Sequence, residues 1–196
     1  DPYAIYAKHV LGLKPLESIE KTPDAALKGT IIHATLENFV KQWDSLPPET
    51  RKQALLQENL TNLSADAPWA VTQIFWQSKL EKSADDFITA ETERRQTAMP
   101  IGYEKDGERT LGALDFTLKG KADRIDQTSD GQLIIYDYKT GKIPTTAQQI
   151  NFDKQLYLLA AIAEEGGFKD IDPAPVCNAE FLSVTSSDKD TKAPLD

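Results

Sequence analysis

The stretch from Gly120 to Gly141, GKADRIDQTSDGQLIIYDYKTG, constrains the fold more than any other part of the chain. LIIYDYK is the apolar run of a central strand. KADRID before it also has strand composition, and Asp130-Gly131 between the two is a hairpin turn signal. Asp123 then sits near the end of the first strand, and Asp137 and Lys139 end the second. Side chains two apart on a strand share a face, so Asp137 and Lys139 point together while Tyr136 and Tyr138 point the other way. A carboxylate from each strand converges on one hard cation, with an ammonium beside it. That is the equipment for metal-assisted phosphodiester hydrolysis.

The elements around this hairpin follow from periodicity. Tyr3, Tyr6, Ala7, Val10 and Leu11 fall at helical spacing, ended by Gly12 and Pro15. A second helix starts with Thr22 as N-cap and Pro23 at its first position. It carries Ile32, Leu36, Phe39, Val40 and Trp43 as a core stripe as far as Pro47-Pro48. Two more helices are expected, Glu49 to about Leu63 and Pro68 to about Phe87, the latter burying Val71, Ile74, Phe75 and Leu80. From Ile88 the period changes. ITAETERRQ reads as a first strand, with Glu91 and Glu93 on one face, where either supports a metal shell, holds a lysine or simply faces solvent. TLGALDFTLKGKADRID and LIIYDYK follow as strands, a helix covers about Asn151 to Glu165 up to Gly166-Gly167, and NAEFLSV returns as a strand. The class is α/β, a mixed central sheet flanked by helices with a helical N-terminal half. One domain spans 1–196, its helical part about 1–87 and its sheet and helix about 88–185.

At 196 residues, 40% hydrophobic and 27% charged, the chain has enough apolar material for one core. It contains no apolar run of ~18 residues and no charged-then-apolar leader, so neither a membrane span nor a secretory signal is expected. Cys177 is the single cysteine; it reads as a buried small hydrophobe in a reducing, cytoplasmic compartment. Beginning at Asp1 and stopping in SSDKDTKAPLD, the chain reads as a piece cut from something longer, short of its last element. A net charge of −9 excludes capture of nucleic acid by the whole surface, because polyanion affinity comes from Lys and Arg neutralising phosphates. Any DNA contact must be local. Lys119, Lys121, Arg124, Lys139 and Lys142 form such a cluster, either as phosphate contacts or as solvated strand-end charges. An acidic domain that cuts DNA is one delivered to it by a larger assembly.

At the candidate site itself, a Mg-type cation wants oxygen ligands in octahedral geometry. Asp123 and Asp137 are suitable, and the Tyr138 carbonyl is placed to be a third. Lys139 can orient or deprotonate the attacking water and offset charge on the phosphate. His33 lies off the stripe of Ile32, Leu36 and Phe39, on the face of Glu37, and by itself reads as a partly exposed packing residue. As a ligand, its imidazole would move metal preference from Mg toward Mn. Gln155 and Tyr157 lie on the helix after the lysine strand, where an amide and a phenol reach a DNA backbone, although Tyr157 serves equally as core.

Taken in order, Gly-Thr-Ile-Ile-His33, Gly-Lys-Ala-Asp123-Arg-Ile-Asp, Asp137-Tyr-Lys139-Thr-Gly and Gln155-Leu-Tyr157 resemble the RecB-like nucleases of the PD-(D/E)XK superfamily. The likeness covers most of the chain. The opening DPYAIYAKHVLGLKPL further resembles AddB-type components of bacterial helicase-nucleases, which resect double-strand breaks. The resemblance implies a restriction-endonuclease-like sheet and a metal, Mg or Mn, held by His33, Asp123, Asp137 and the Tyr138 carbonyl. It makes Asp123, Asp137 and Lys139 catalytic and sets Gln155 and Tyr157, with Arg124 from the basic cluster, against DNA. It implies exonuclease action on single-stranded DNA beside an AddA-type helicase-nuclease partner. Many such relatives carry four cysteines for an iron-sulfur cluster. Here Asp1 stands where that pattern would open and Cys177 stands alone, so no cluster is expected. Leu159 occupies the place of a family tyrosine. A free-standing RecB-like exonuclease and a non-catalytic DNA-binding or docking module are the alternatives; a degenerate copy would be expected to lose an aspartate or the lysine, and this chain keeps all of them.

Overall fold

Helices form first along the chain, and their caps and buried faces explain where they begin and end. The computed structural model describes residues 2–13, 22–185 and 190–193; Pro15 lies outside the described residues. Helix α1 (Pro2–His9) buries none of its side chains. Helix α2 (Ala25–Gln42) is capped by Asp24, whose carboxylate accepts from the Leu27 N–H at 2.7 Å. Thr22 and Pro23 therefore precede the helix instead of starting it, because the aspartate one residue on is the better acceptor for the free N–H groups. One face of α2 buries Ile31, Ile32, Leu36, Phe39 and Val40. Short 3-10 turns at Trp43–Ser45 and Pro48–Thr50 lead into α3 (Arg51–Asp66).

Helix α4 (Ala70–Thr97) is longer than periodicity implied and absorbs ITAETERRQ, so Glu91 and Glu93 are helical, not strand residues. The reason is a buried line through Leu80, Ala84, Phe87 and Glu91. Glu91 pairs with Arg94 and Arg95 at spacings of three and four residues, which only a helix brings together. Its N-terminal half does the opposite of what was expected. Val71, Ile74 and Phe75 are exposed, at 81%, 71% and 55%, and of the four expected core residues only Leu80 is buried.

The sheet follows: β1 (Ala98–Leu111), β2 (Phe116–Thr128), β3 (Leu133–Lys139), β4 (Val176–Ser183) and β5 (Thr191–Lys192), in the order β1-β2-β3-β4-β5. The first two pairings and the last are antiparallel, and β3 runs parallel to β4. Gly131, at φ 86, makes the left-handed residue of the β2–β3 turn. The parallel step needs a crossover, supplied by α5 (Thr146–Asn151) and α6 (Gln155–Glu164). The expected single helix from Asn151 is thus two, separated at Phe152 to Lys154. Thr145 and Gln148 cap α5 reciprocally.

This mixed sheet carries a core on each face. Ile134, Tyr136, Tyr138 and Leu182 pack against Leu36, Phe39, Leu80 and Phe87 of α2 and α4. Ile125, Leu133, Ile135 and Phe181 pack against Leu156, Leu159 and Ile162 of α6. Cys177 is exposed, not buried, because it lies at the start of β4 beyond the residues that β5 covers. Among the described residues, no helix is long and apolar enough to cross a membrane.

Candidate active site

The β2–β3 register sets the two aspartates side by side. Arg124 pairs with Tyr136, and continuing that antiparallel register by one residue puts Asp123 opposite Asp137. Asp123 is mid-strand in β2, not near its end, but it faces the end of β3. Its Oδ2 accepts from the Tyr138 N–H at 2.7 Å. Asp137 and Lys139 share a face, as their spacing requires, with Lys139 Nζ 2.6 Å from Asp137 Oδ2. The Lys139 ammonium is thus the partner of this buried oxygen. Gln155, at the start of α6, donates to Asp137 Oδ1 and accepts from Lys139 Nζ at 3.0 Å, tying the pair together. Burial, with the charge of Asp123 next, pushes the Asp137 carboxyl up to about 6.

From α2, His33 reaches the same place. Its Nε2 lies 2.9 Å from the Tyr138 carbonyl, which can only accept, so Nε2 carries a proton and donates. Its Nδ1 faces Asp123 Oδ1 at 3.3 Å and Glu104 Oε1 at 3.7 Å. Burial pulls the imidazole pKa down, but the hydrogen bonds and charges of Asp123 and Glu104 outweigh it and raise it to about 10. The imidazole is therefore a cation lodged between two carboxylates. Ligand atoms of His33, Glu104 and Asp123 all fall within 4.8 Å of one another. A set of carboxylates with one imidazole suits Mg or Mn; Asp137, its oxygens engaged by Lys139 and Gln155, lies outside that group of three.

Glu104 was missed by sequence reasoning. It sits in β1 with φ 48, a left-handed kink inside a strand, and ion-pairs with Lys121 at 2.7 Å. Gly, Asn and Asp favour such backbone and Glu does not, so the sequence carried no trace of it.

Arg124 cannot meet DNA. It is fully buried, paired with both oxygens of Asp126 at 2.6 Å and with Glu91 at 2.6 Å, and 3.4 Å from the Tyr138 hydroxyl. Residues 124 and 126 face α4, away from Asp123, because of the two-residue period of β2. Glu91 is likewise committed to Arg124, and Glu93 is exposed on α4, so neither adjoins the carboxylate group. Tyr157 is half-buried against the α6-side core with Lys154 Nζ 4.9 Å from its ring centroid. The Tyr138 carbonyl, expected as a metal ligand, is engaged with His33.

A family model described as the PD-(D/E)XK nuclease superfamily matches residues 2–193. Among curated proteins, an uncharacterized protein of Rickettsia bellii is 32% identical over 183 residues, covering 91% of this chain and 22% of its own length. Another from Rickettsia conorii is 33% identical over 175 residues, 86% of this chain and 21% of its own. An ATP-dependent helicase/deoxyribonuclease subunit of Streptococcus uberis is 31% identical over 146 residues, 71% of this chain and 13% of its own. The chain thus spans about a fifth of the length of the rickettsial relatives. With the match running almost end to end, the chain belongs to the PD-(D/E)XK nuclease superfamily.

Proposed function

We propose that the chain is a metal-dependent deoxyribonuclease domain, exonucleolytic on single-stranded DNA, working in its parent protein beside an AddA-type helicase-nuclease in recombinational break repair. One observation carries the reading: buried Asp137 is bound to Lys139 and Gln155 and lies within electrostatic reach of Asp123 and His33. The helicase partnership rests on the names of the streptococcal relatives.

A divalent cation held by Asp123, Asp137, Glu104 and His33 would supply Lewis-acid polarisation of the phosphate and an acidified water. His33 must first lose the Nδ1 proton that the carboxylates stabilise. Its Nε2–H stays on the Tyr138 carbonyl and fixes the ring, the usual orienting arrangement for a ligating histidine. In this reading the Tyr138 carbonyl orients a ligand. Lys139 orients the attacking water and offsets the charge that builds on the phosphate oxygens. Gln155 holds Lys139 and Asp137 in register with each other.

The test is cleavage of end-labelled single-stranded DNA by the intact chain with Mg, with Mn and with EDTA. Label release in either metal and none in EDTA is expected. Absence of cleavage in both metals would sink the reading.

A further inference from the structure

Where the chain has left β3, three residues past Lys139, begins a cleft of about 360 Å³ lined by Lys142, Ile143, Pro144, Gln148, Phe152 and Asp153. Phe152 forms one wall and is 85% exposed, more than any other large apolar side chain described. Its backbone is nonetheless fixed, since the N–H groups of Phe152 and Asp153 both donate to the Gln148 carbonyl at 2.8 Å. The link to the site is short. Asp153 Oδ1 accepts from the Gln155 N–H at 3.1 Å, and the Gln155 amide touches both Asp137 and Lys139. Lys142 is exposed and lines the cleft, whereas the Lys154 ammonium lies over the Tyr157 ring and donates to the Ile150 carbonyl. Asp153 is the acidic group in the cleft, and its hydrogen bond from Gln155 engages one of its oxygens.

An exposed aromatic face sharing a cleft with the Lys142 side chain matches the chemistry of an unpaired nucleotide: a π-face for the base and a cation for its phosphate. We propose that Phe152 is a stacking platform for a nucleobase next to the scissile phosphate, which makes this site selective for single-stranded nucleic acid. The inference rests on the nuclease reading above and names a residue that would give it its preference for single strands. A base inside a duplex has both faces covered by its neighbours, so the ring has nothing to stack against there. Stacking tolerates every base, so the preference is for strandedness and not for sequence.

Binding of a labelled oligothymidylate and of a duplex of the same length is measured by anisotropy on the intact chain, in EDTA at low ionic strength. Phe152→Ala and Phe152→Leu are expected to weaken single-strand binding about fivefold to a hundredfold, with Phe152→Tyr close to the parent and duplex binding unchanged in all three. Because the side chain is exposed, these variants keep the fold. Unchanged single-strand binding in Phe152→Ala, full binding in Phe152→Leu, equal loss on duplex, or no measurable binding by the parent chain each overturns the proposal. So does a change in oligomeric state as the only effect, which would assign the ring to protein contact. Since nothing is cut in EDTA, the two readings fail separately. Stacking without cleavage in Mg or Mn removes the nuclease alone, whereas cleavage with an unchanged KM in Phe152→Ala removes the platform alone.

Discussion

Tyr138 ties the candidate site to the core with three groups: its N–H on Asp123 and its carbonyl on His33 in the site, and its hydroxyl near Arg124 on the opposite face of the sheet. Two of these are backbone, so side-chain replacement leaves them in place, and the chemistry is best tested at the neighbours. Lys139→Ala should lower cleavage by about a hundredfold or more, with thermal unfolding close to the parent because the lysine is partly exposed. Cleavage within a few fold of the parent would remove Lys139 from the mechanism. The carboxyl of Asp137 gives a pH prediction. Its folded pKa, about 6, lies above the ordinary carboxylate value, so without metal the ionised form burdens the fold. That burden grows as pH rises through 6 and is relieved as pH falls. A cation needs the ionised Asp137 and a His33 without its Nδ1 proton, so Mn affinity should fall about tenfold per pH unit from 10 down to 6 on account of His33 and about a hundredfold per unit below 6, read by titration calorimetry. A slope no steeper below pH 6 than above it would deny Asp137 a place at the metal. The Asp137–Lys139 pairing was legible because a strand's two-residue period fixes side-chain direction. Glu104 was not legible, because a kinked backbone leaves no period to read.

Between elements, the informative boundary is α4 to β1. ITAETERRQ alternates like a strand, yet its Glu91–Arg94 and Glu91–Arg95 spacings are helical, and the burial of Glu91 against Arg124 of β2 decides between them. That partner lies 33 residues away, beyond the reach of any local window. Glu91→Gln leaves the Arg124 guanidinium buried with one ionic partner fewer and should cost about 3 kcal/mol or more, measured as a lower urea midpoint at unchanged m-value. A shift under a tenth of that would mean that Asp126 alone suffices. A second test sits where the β1–β2 hairpin meets the end of α6. A Cβ on Gly167 would lie 2.3 Å from the Glu108 carbonyl oxygen, and one on Gly107 would lie 2.5 Å from the Phe168 ring. Gly167→Ala should therefore lose about 1–3 kcal/mol, more than Gly112→Ala, whose Cβ would meet nothing within 4 Å. The hairpin and the LIIYDYK strand were plain in the sequence because turn and alternation agree. The exposed apolar face of α4 was not, since a heptad-like stripe looks the same whether or not anything covers it.

For the whole molecule, a net charge of −9 and a few lysines near the cleft predict weak binding to single strands. Neutralising about three phosphates gives a slope near −2 on a log-log plot of affinity against salt. A slope near zero with tight binding would show a chain that captures DNA unaided. The site, finally, draws on α2, β1, β2, β3 and α6, and the His33–Tyr138 contact spans 105 positions. A polypeptide still being synthesised thus has no assembled candidate site until Gln155 has left the ribosome and the crossover has closed. On the proposed nuclease reading, ribosome-arrested chains ending before Gln155 should leave DNA intact, and cleavage by such chains would show that α6 is dispensable to the site.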